Sequence, residues 1–187
     1  MKIAFIAFDN LTTLDLVGIY DPLTRLKTMG FIPDLTWHLC ALNSPVKDDR
    51  GLTLTPDTVG ASLEGYNLVV APGGYGTRNL CTNAAFLSWI GTAQKVPLKA
   101  SVCTGSLLFG AAGFLRGLKA TTHPSAYELL TPYCKEVRHD RIVDEGAVVT
   151  AGGVTSALDL GLYLVARLAG AEARQRIKAQ MDYPYGD

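Results

Sequence analysis

The chain has 187 residues, a length that suits one domain with a sizeable hydrophobic core. Lysine and arginine together number 17, as do aspartate and glutamate, so the formal net charge is zero and no basic run or acidic tail stands out. This balance argues against nucleic acid or an anionic membrane as the main partner. The apolar run 3–8 is too short for a secretion signal, and no run approaches the roughly 18 residues of a membrane span. We therefore expect a single domain over residues 1–187, located in the cytoplasm.

Predicted strands and helices alternate along the chain, since continuous apolar runs alternate with apolar residues at three- and four-residue spacing. The first half predicts a strand at 3–8, a helix at 15–29, a strand at 35–42, a hairpin at 46–54, a strand at 66–71, a helix at 84–94 and a strand at 96–102. The second half predicts a helix after residue 103, a strand at 119–123, a helix at 125–130, paired strands at 137–140 and 141–144, a strand at 147–150, and helices at 155–168 and 171–181. This order is typical of an α/β fold with a doubly wound, mostly parallel, flavodoxin-like sheet sandwiched by helices.

Cys103 stands where the strand at 96–102 meets a helix rich in glycine, alanine and leucine. A strand-to-helix turn of this kind, a nucleophile elbow, holds one side chain on a sharp bend at the end of a sheet. Unpaired N–H groups at the start of the helix favour the thiolate, which makes Cys103 a candidate nucleophile. The alternative is a packing role, because free cysteines are among the most buried residues.

The other three cysteines, Cys40, Cys81 and Cys134, are far apart in the sequence and form no C-x-x-C pair. The three histidines, at positions 38, 123 and 139, are equally scattered, whereas a zinc site needs clustered ligands. We expect these three cysteines to be reduced structural thiols, and we expect the protein to use no metal or other cofactor.

Several residues of catalytic type follow the ends of predicted strands. Ligands of doubly wound sheets bind outside the carboxyl ends of the strands, so we expect Asp15, Gly73–Gly74, Cys103 and Gly152–Gly153 to meet in one cleft. The backbone N–H groups of Gly74 and Thr104 are candidate donors to a developing anion, in the manner of an oxyanion hole. Gly73 and Gly153 are candidate substrate-binding positions beside them.

Five motifs, in this order, resemble the motif series of the ThiJ/PfpI superfamily: Leu14–Gly18, Ala71–Gly74, Ser101–Ser106, Ala120–His123 and Thr150–Asp159. The resemblance covers nearly the whole chain. Within the superfamily, the Cys-Thr-Gly elbow and the Leu-Asp-Leu near the N-terminus are most similar to isocyanide hydratases. Members are commonly homodimers that act on small molecules, so the resemblance implies both for this chain.

The resemblance also implies roles for the residues beside Cys103. Asp15, which from sequence alone is equally well a helix-capping residue, becomes the acid/base placed against the cysteine. Many members with protease, deglycase or glyoxalase-like activity have histidine directly after the cysteine, whereas this chain has Thr104. The threonine fits the isocyanide hydratase pattern, in which it assists in the site. That pattern has tryptophan where this chain has Pro124.

His123 is a weaker candidate for the site. A histidine beside a proline is more often a loop or core residue, but its place in the fourth motif allows it to orient a group in the cleft. We keep it as a candidate substrate-binding residue.

Three functions are compatible with these patterns. The first is a cofactor-free hydratase in which Cys103 adds to an isocyanide carbon and an N-substituted formamide is released. The second is another cysteine hydrolase or glyoxalase/deglycase, against which the missing histidine at Thr104 counts. The third is a non-enzymatic sensor of oxidants or small ligands that works through oxidation of Cys103. Related domains also occur in transcription regulators, but the sequence leaves no residues for a DNA-binding helix-turn-helix.

Overall fold

The computed structural model describes residues 1–185 and has eleven strands, six α-helices and two 3-10 helices, Pro124–Ala126 and Thr131–Tyr133, in that range. The strands are β1 (Lys2–Ala7), β2 (Thr36–Ala41), β3 (Val46–Lys47), β4 (Thr53–Leu54), β5 (Thr58–Val59), β6 (Leu68–Ala71), β7 (Leu98–Val102), β8 (Lys119–Ala120), β9 (Glu136–Val137), β10 (Ile142–Asp144) and β11 (Val148–Ala151). The helices are α1 (Thr13–Thr28), α2 (Thr77–Leu80), α3 (Ala84–Gly91), α4 (Gly105–Ala111), α5 (Tyr127–Leu130) and α6 (Ser156–Gln180).

Seven strands form the central sheet in the order β10-β11-β7-β6-β1-β2-β5. Every neighbouring pair in it is parallel except β10 with β11, which is antiparallel. The sub-order β2-β1-β6-β7-β11 is the flavodoxin-like arrangement, so the topological switch point lies between β1 and β6. The predicted fold class, a mostly parallel sheet flanked by helices, is confirmed. The site is therefore sought at the carboxyl ends of β1, β6, β7 and β11.

The central strands are apolar throughout because both faces of the sheet are covered. Residues 3–7 of β1 and 68–71 of β6 are fully buried. Helices α1 and α6 pack against each other so closely that a Cβ on Gly18 would lie 2.6 Å from Ala157 Cβ, and one on Gly161 would lie 2.7 Å from Pro22 Cγ. The starts of these two helices are thus held in a fixed relation. Gly170, at φ 88°, breaks the helical backbone of α6 where two separate helices were predicted.

Three local predictions need correction. The segments 137–140 and 141–144 do not pair with each other: β9 pairs in parallel with β8, and β10 extends the main sheet beside β11. In place of a hairpin with the preceding segment, β10 forms backbone hydrogen bonds with β11 at the edge of the seven-stranded sheet. The strand predicted at 119–123 contains only residues 119–120. The short elements β5 and α2 were not predicted.

Candidate active site

Cys103 occupies a strained bend between β7 and α4, with φ at 55° in the left-handed region that non-glycine residues seldom adopt. Hydrogen bonds hold the bend from several sides. The Cys103 N–H donates to the carbonyls of Ala151 (3.1 Å) and Gly152 (2.7 Å), and Thr122 Oγ1 donates to the Cys103 carbonyl (2.9 Å). The surroundings thus maintain a conformation that costs about 1–3 kcal/mol, as at many functional sites. The predicted nucleophile elbow has the expected backbone geometry.

We expect Gly105→Ala to destabilise the protein by at least about 2 kcal/mol, because overpacking at a rigid contact has no low-cost relaxation. A Cβ on Gly105 would lie 2.3 Å from the Ala71 carbonyl oxygen and 2.7 Å from that of Pro72. Chemical denaturation measures the loss. Gly91→Ala is the matched control: nothing lies within 4 Å of its added Cβ, so this helical substitution should be neutral or slightly stabilising. Equal stability of the two variants would contradict the close approach at the elbow.

Asp15 lies in the first turn of α1 and is completely buried. Its side chain does not cap the helix: Oδ2 accepts a hydrogen bond from the Gly73 N–H (3.0 Å), and the carboxyl contacts the Cys103 thiol. Oδ1 has no well-aligned partner within residues 1–185. Burial raises the pKa of Asp15 to about 6; the contacts with Cys103 and Gly73 lower it, and the charge of Asp49 raises it. The upward shift expected for an acid/base carboxyl is therefore present, with burial as its main cause.

The surroundings of Cys103 disfavour the thiolate that its place at a helix start was expected to favour. The side chain is buried, with 5% exposure. Burial and the neighbouring charge of Asp15 raise the pKa of Cys103 to about 12, although the backbone N–H and hydroxyl of Thr104 lower it. One N–H and one hydroxyl do not compensate for loss of solvent and a nearby carboxylate. Burial and the carboxyl of Asp15 thus both favour the protonated form of the Cys103 thiol.

Thr104 ties the elbow to the glycine turn after β6. Its Oγ1 accepts from the Gly74 N–H (3.0 Å) and donates to the Gly74 carbonyl (3.1 Å). The Gly73 N–H is engaged by Asp15, so both glycine N–H groups have acceptors inside the protein. The Thr104 N–H points toward the Cys103 sulfur. Of the two N–H groups predicted for an oxyanion hole, that of Thr104 faces the reacting atom, whereas that of Gly74 already donates to a side chain.

His123 lines the cleft beside Cys103, together with Ser125 and Val154, whereas Gly153 and Gly73 lie next to the cleft lining and not in it. The Ser125 N–H donates to His123 Nδ1 (3.2 Å), and Ser125 Oγ is 2.8 Å from the same nitrogen. An acceptor role for Nδ1 leaves the proton of the neutral ring on Nε2. A Cβ on Gly153 would lie 3.3 Å from His123 Cδ2, so the glycine makes room for the ring. Gly153 thus supports the ring of His123 from behind the cleft lining, and the structure gives His123 no contact with Asp15.

The cleft beside Cys103 has a volume of about 340 Å³. Its walls include Leu14, from the first motif, and four residues that were not predicted to belong to the site: Asp49, Arg50, Tyr75 and Arg78. Asp49 and Arg50 belong to the turn between β3 and β4. This hairpin was predicted, but no sequence signal showed that it packs on the start of α1. It does so through the Asp49 N–H donating to the Leu11 carbonyl (3.0 Å) and Thr13 Oγ1 donating to Asp48 Oδ2 (2.6 Å).

Within residues 1–185, no group of three or more histidine, cysteine, aspartate or glutamate side chains is arranged to hold a metal ion. The helices of the same range include none with the length and apolar character needed to cross a bilayer. All four cysteines are free.

The fold and the elbow together define a flavodoxin-like α/β protein with a buried cysteine–aspartate pair at the carboxyl ends of its strands. The chain belongs to the DJ-1/PfpI family, which it matches over residues 1–167. It is 35% identical to an isonitrile hydratase of Pseudomonas putida, over 98% of this chain and 78% of the relative. It is 27% identical to protein DJ-1alpha of Drosophila melanogaster, over 88% and 76% of the two chains. A ThiJ/PfpI family protein from Pseudomonas syringae superposes with a TM-score of 0.89 at 29% identity, over all of this chain and 76% of the other.

Proposed function

We propose that the protein is a cofactor-free, cysteine-dependent enzyme that hydrates an isocyanide to an N-substituted formamide. The observation that carries the proposal is the Cys103 thiol on its elbow, in contact with a buried Asp15 whose pKa is about 6. The 35% identity to an isonitrile hydratase supports the same reaction. We further propose that the enzyme acts as a homodimer in the cytoplasm.

The first half of the reaction forms a thioimidate. Asp15 accepts the proton of the Cys103 thiol while the sulfur attacks the terminal carbon of R–N≡C. Asp15 then returns that proton to the same carbon, which gives R–N=CH–S–Cys103. One carboxyl serves as base and then as acid, so a pKa close to neutrality suits both transfers. The Thr104 N–H, directed at the sulfur, stabilises the negative charge during the attack.

The second half releases the product. Water adds its oxygen to the thioimidate carbon, and its protons are transferred so that the nitrogen becomes R–NH and the carbon carries a hydroxyl. Collapse of this adduct breaks the C–S bond, returns a proton to the sulfur and releases R–NH–CHO. Asp15 is the group placed to move these protons, and the net change is addition of one water to the isocyanide. The reaction requires a nucleophile, a group that transfers protons and a cavity for the R group. In this proposal Cys103, Asp15 and the cleft fill these three roles.

The test is incubation of the purified protein with phenyl isocyanide while the formamide is followed by chromatography. Formamide production that requires Cys103 supports the proposal. No hydration, together with Cys103-dependent conversion of methylglyoxal, would replace it with a glyoxalase-like function. Inactivity in both assays, with Cys103 readily oxidised by peroxide, would favour a sensor.

We expect Thr104→His to lower isocyanide turnover by about 10–100-fold, because positioning errors near the reacting atoms have effects of this size. The substitution removes the hydroxyl that bonds both backbone groups of Gly74, without creating a peptidase, since a working base also needs an orienting partner. Steady-state kinetics and a casein assay measure the two outcomes. Thr104→Ser keeps the hydroxyl and should retain most of the turnover; loss of activity in Ser equal to that in His would contradict the role of the hydroxyl.

A further inference from the structure

The mouth of the Cys103 cleft carries two guanidinium groups. Arg50 is at the tip of the β3–β4 hairpin and Arg78 is in α2, and both line the same cavity of about 340 Å³ as Cys103 and Thr104. Both arginines are exposed. The cavity wall also contains Tyr75, whose ring lies 5.2 Å from Arg78 Cζ and which is 72% exposed. A cleft that needed only to admit an apolar isocyanide would gain nothing from two cations at its entrance.

The acidic groups of the cleft do not neutralise both arginines. Asp49 forms an ion pair with Arg50 (2.7 Å), and its other oxygen accepts from Thr12 Oγ1 (3.1 Å). Asp15 is fully buried beneath the glycine turn and is engaged by Gly73 and Cys103. Arg78 contacts the Tyr75 ring and forms no ion pair within residues 1–185. The cleft is therefore lined by one guanidinium, that of Arg78, without an ion-pair partner within residues 1–185, and by a second, that of Arg50, which is paired with Asp49.

We infer that the substrate carries a carboxylate, remote from its reacting carbon, which Arg78 and Arg50 bind at the mouth of the cleft. Arginine presents paired N–H donors that match the two oxygens of a carboxylate. A cavity of about 340 Å³ accommodates a ring-sized body between the anion and the reacting group. This inference rests on the proposed function only for the identity of the reacting group, the isocyanide.

The direct test compares binding of benzoate and benzamide, which differ in charge and hardly in size, by calorimetry at low salt. We expect wild-type protein to bind benzoate about five-fold more tightly than benzamide, the effect of roughly 1 kcal/mol from an exposed ion pair. The preference should weaken with added salt and disappear in Arg78→Met. Arg116→Met, which removes an exposed arginine outside the cleft, is the control and should keep it. A wild-type ratio near one, a preference that persists in Arg78→Met, or no binding of either compound would overturn the inference.

A second comparison uses 4-isocyanobenzoate and 4-isocyanobenzamide as substrates. We expect a higher kcat/KM for the carboxylate, through a lower KM, and a ratio near one in Arg78→Met. Equal kcat/KM for the two substrates would overturn the inference while leaving hydration established. The binding assay contains no isocyanide, so inactivity toward both substrates with intact benzoate selectivity would instead refute the proposed reaction and leave the carboxylate site standing.

Discussion

Cys103→Ala is expected to abolish isocyanide hydration, with a loss of at least about 1,000-fold, because no other group on the elbow can form the covalent intermediate. The fold should survive, since the substitution removes one sulfur atom and leaves the hydrogen bonds that hold the bend in place. Formamide production measures the first outcome and thermal denaturation the second. A variant that retains a tenth of the activity would contradict covalent catalysis by this residue.

The other cysteines provide matched controls for the same change. Cys40 is buried beside Tyr66, Cys81 follows α2 and Cys134 follows the turn after α5, all away from Asp15. Alanine at any of the three should leave turnover within about two-fold of wild type and cost at most the stability typical of a small buried deletion. Equal loss of activity in all four variants would mean that the thiols act through structure and that Cys103 has no special role.

Asp15→Asn is expected to separate activity from stability. The amide cannot accept the thiol proton, so turnover should fall by about 100–10,000-fold, the range for loss of a general acid/base. In wild type, turnover should rise with pH with an apparent pKa of about 6, as Asp15 becomes able to accept that proton. The pH dependence should vanish from whatever activity Asp15→Asn retains. A pH profile unchanged by the substitution would assign the titration to another group.

The stability of Asp15→Asn should change in the opposite direction from its activity. The pKa of Asp15 is raised from 3.8 to about 6, so the unfolded chain loses this proton at a lower pH than the folded protein does. Stability is therefore lost as pH rises from 3.8 toward 6, and above 6 the full cost of the buried carboxylate, roughly 3 kcal/mol, is present. Urea denaturation at pH 4 and pH 7.5 should show similar stability for the two proteins at the lower pH. At the higher pH the variant should be more stable; a less stable variant at pH 7.5 would contradict the shift.

Local sequence patterns were sufficient for much of the fold and for the central pair of the site. In β1, α1 and the strand leading to Cys103, the pattern of apolar residues along the chain was enough to predict which element forms. The convergence of Asp15 and Cys103 followed from the rule for strand ends in doubly wound sheets. These predictions depended on periodicity and chain order, both of which a sequence contains.

What the sequence could not predict depends on contacts between distant segments. The pKa of Cys103 is raised by burial and by the charge of Asp15, 88 positions away in the chain, and the local rule for helix starts includes neither effect. Asp49 and Arg50 reach the cleft only because the hairpin docks on the start of α1. The strand partners also depend on distant segments: β9 pairs with β8, and β10 pairs with β11 at the edge of the main sheet.

The hairpin formed by β3 and β4 is a two-stranded sheet of its own, separate from the seven-stranded sheet that delivers Cys103. It meets the site through backbone and hydroxyl contacts at its tip, near Thr12 and Thr13. Arg50, which lines the mouth of the cleft, is thus held on a different sheet from the one that holds Cys103. If the proposed carboxylate site holds, substitutions of Arg50 would alter the mouth of the cleft without altering the elbow, whereas substitutions of Asp49 would also change the environment of Asp15, whose pKa its charge raises. For engineering, Arg50 and the turn around it are therefore the residues to vary first, since substitutions there should change substrate binding before they change catalysis at Cys103.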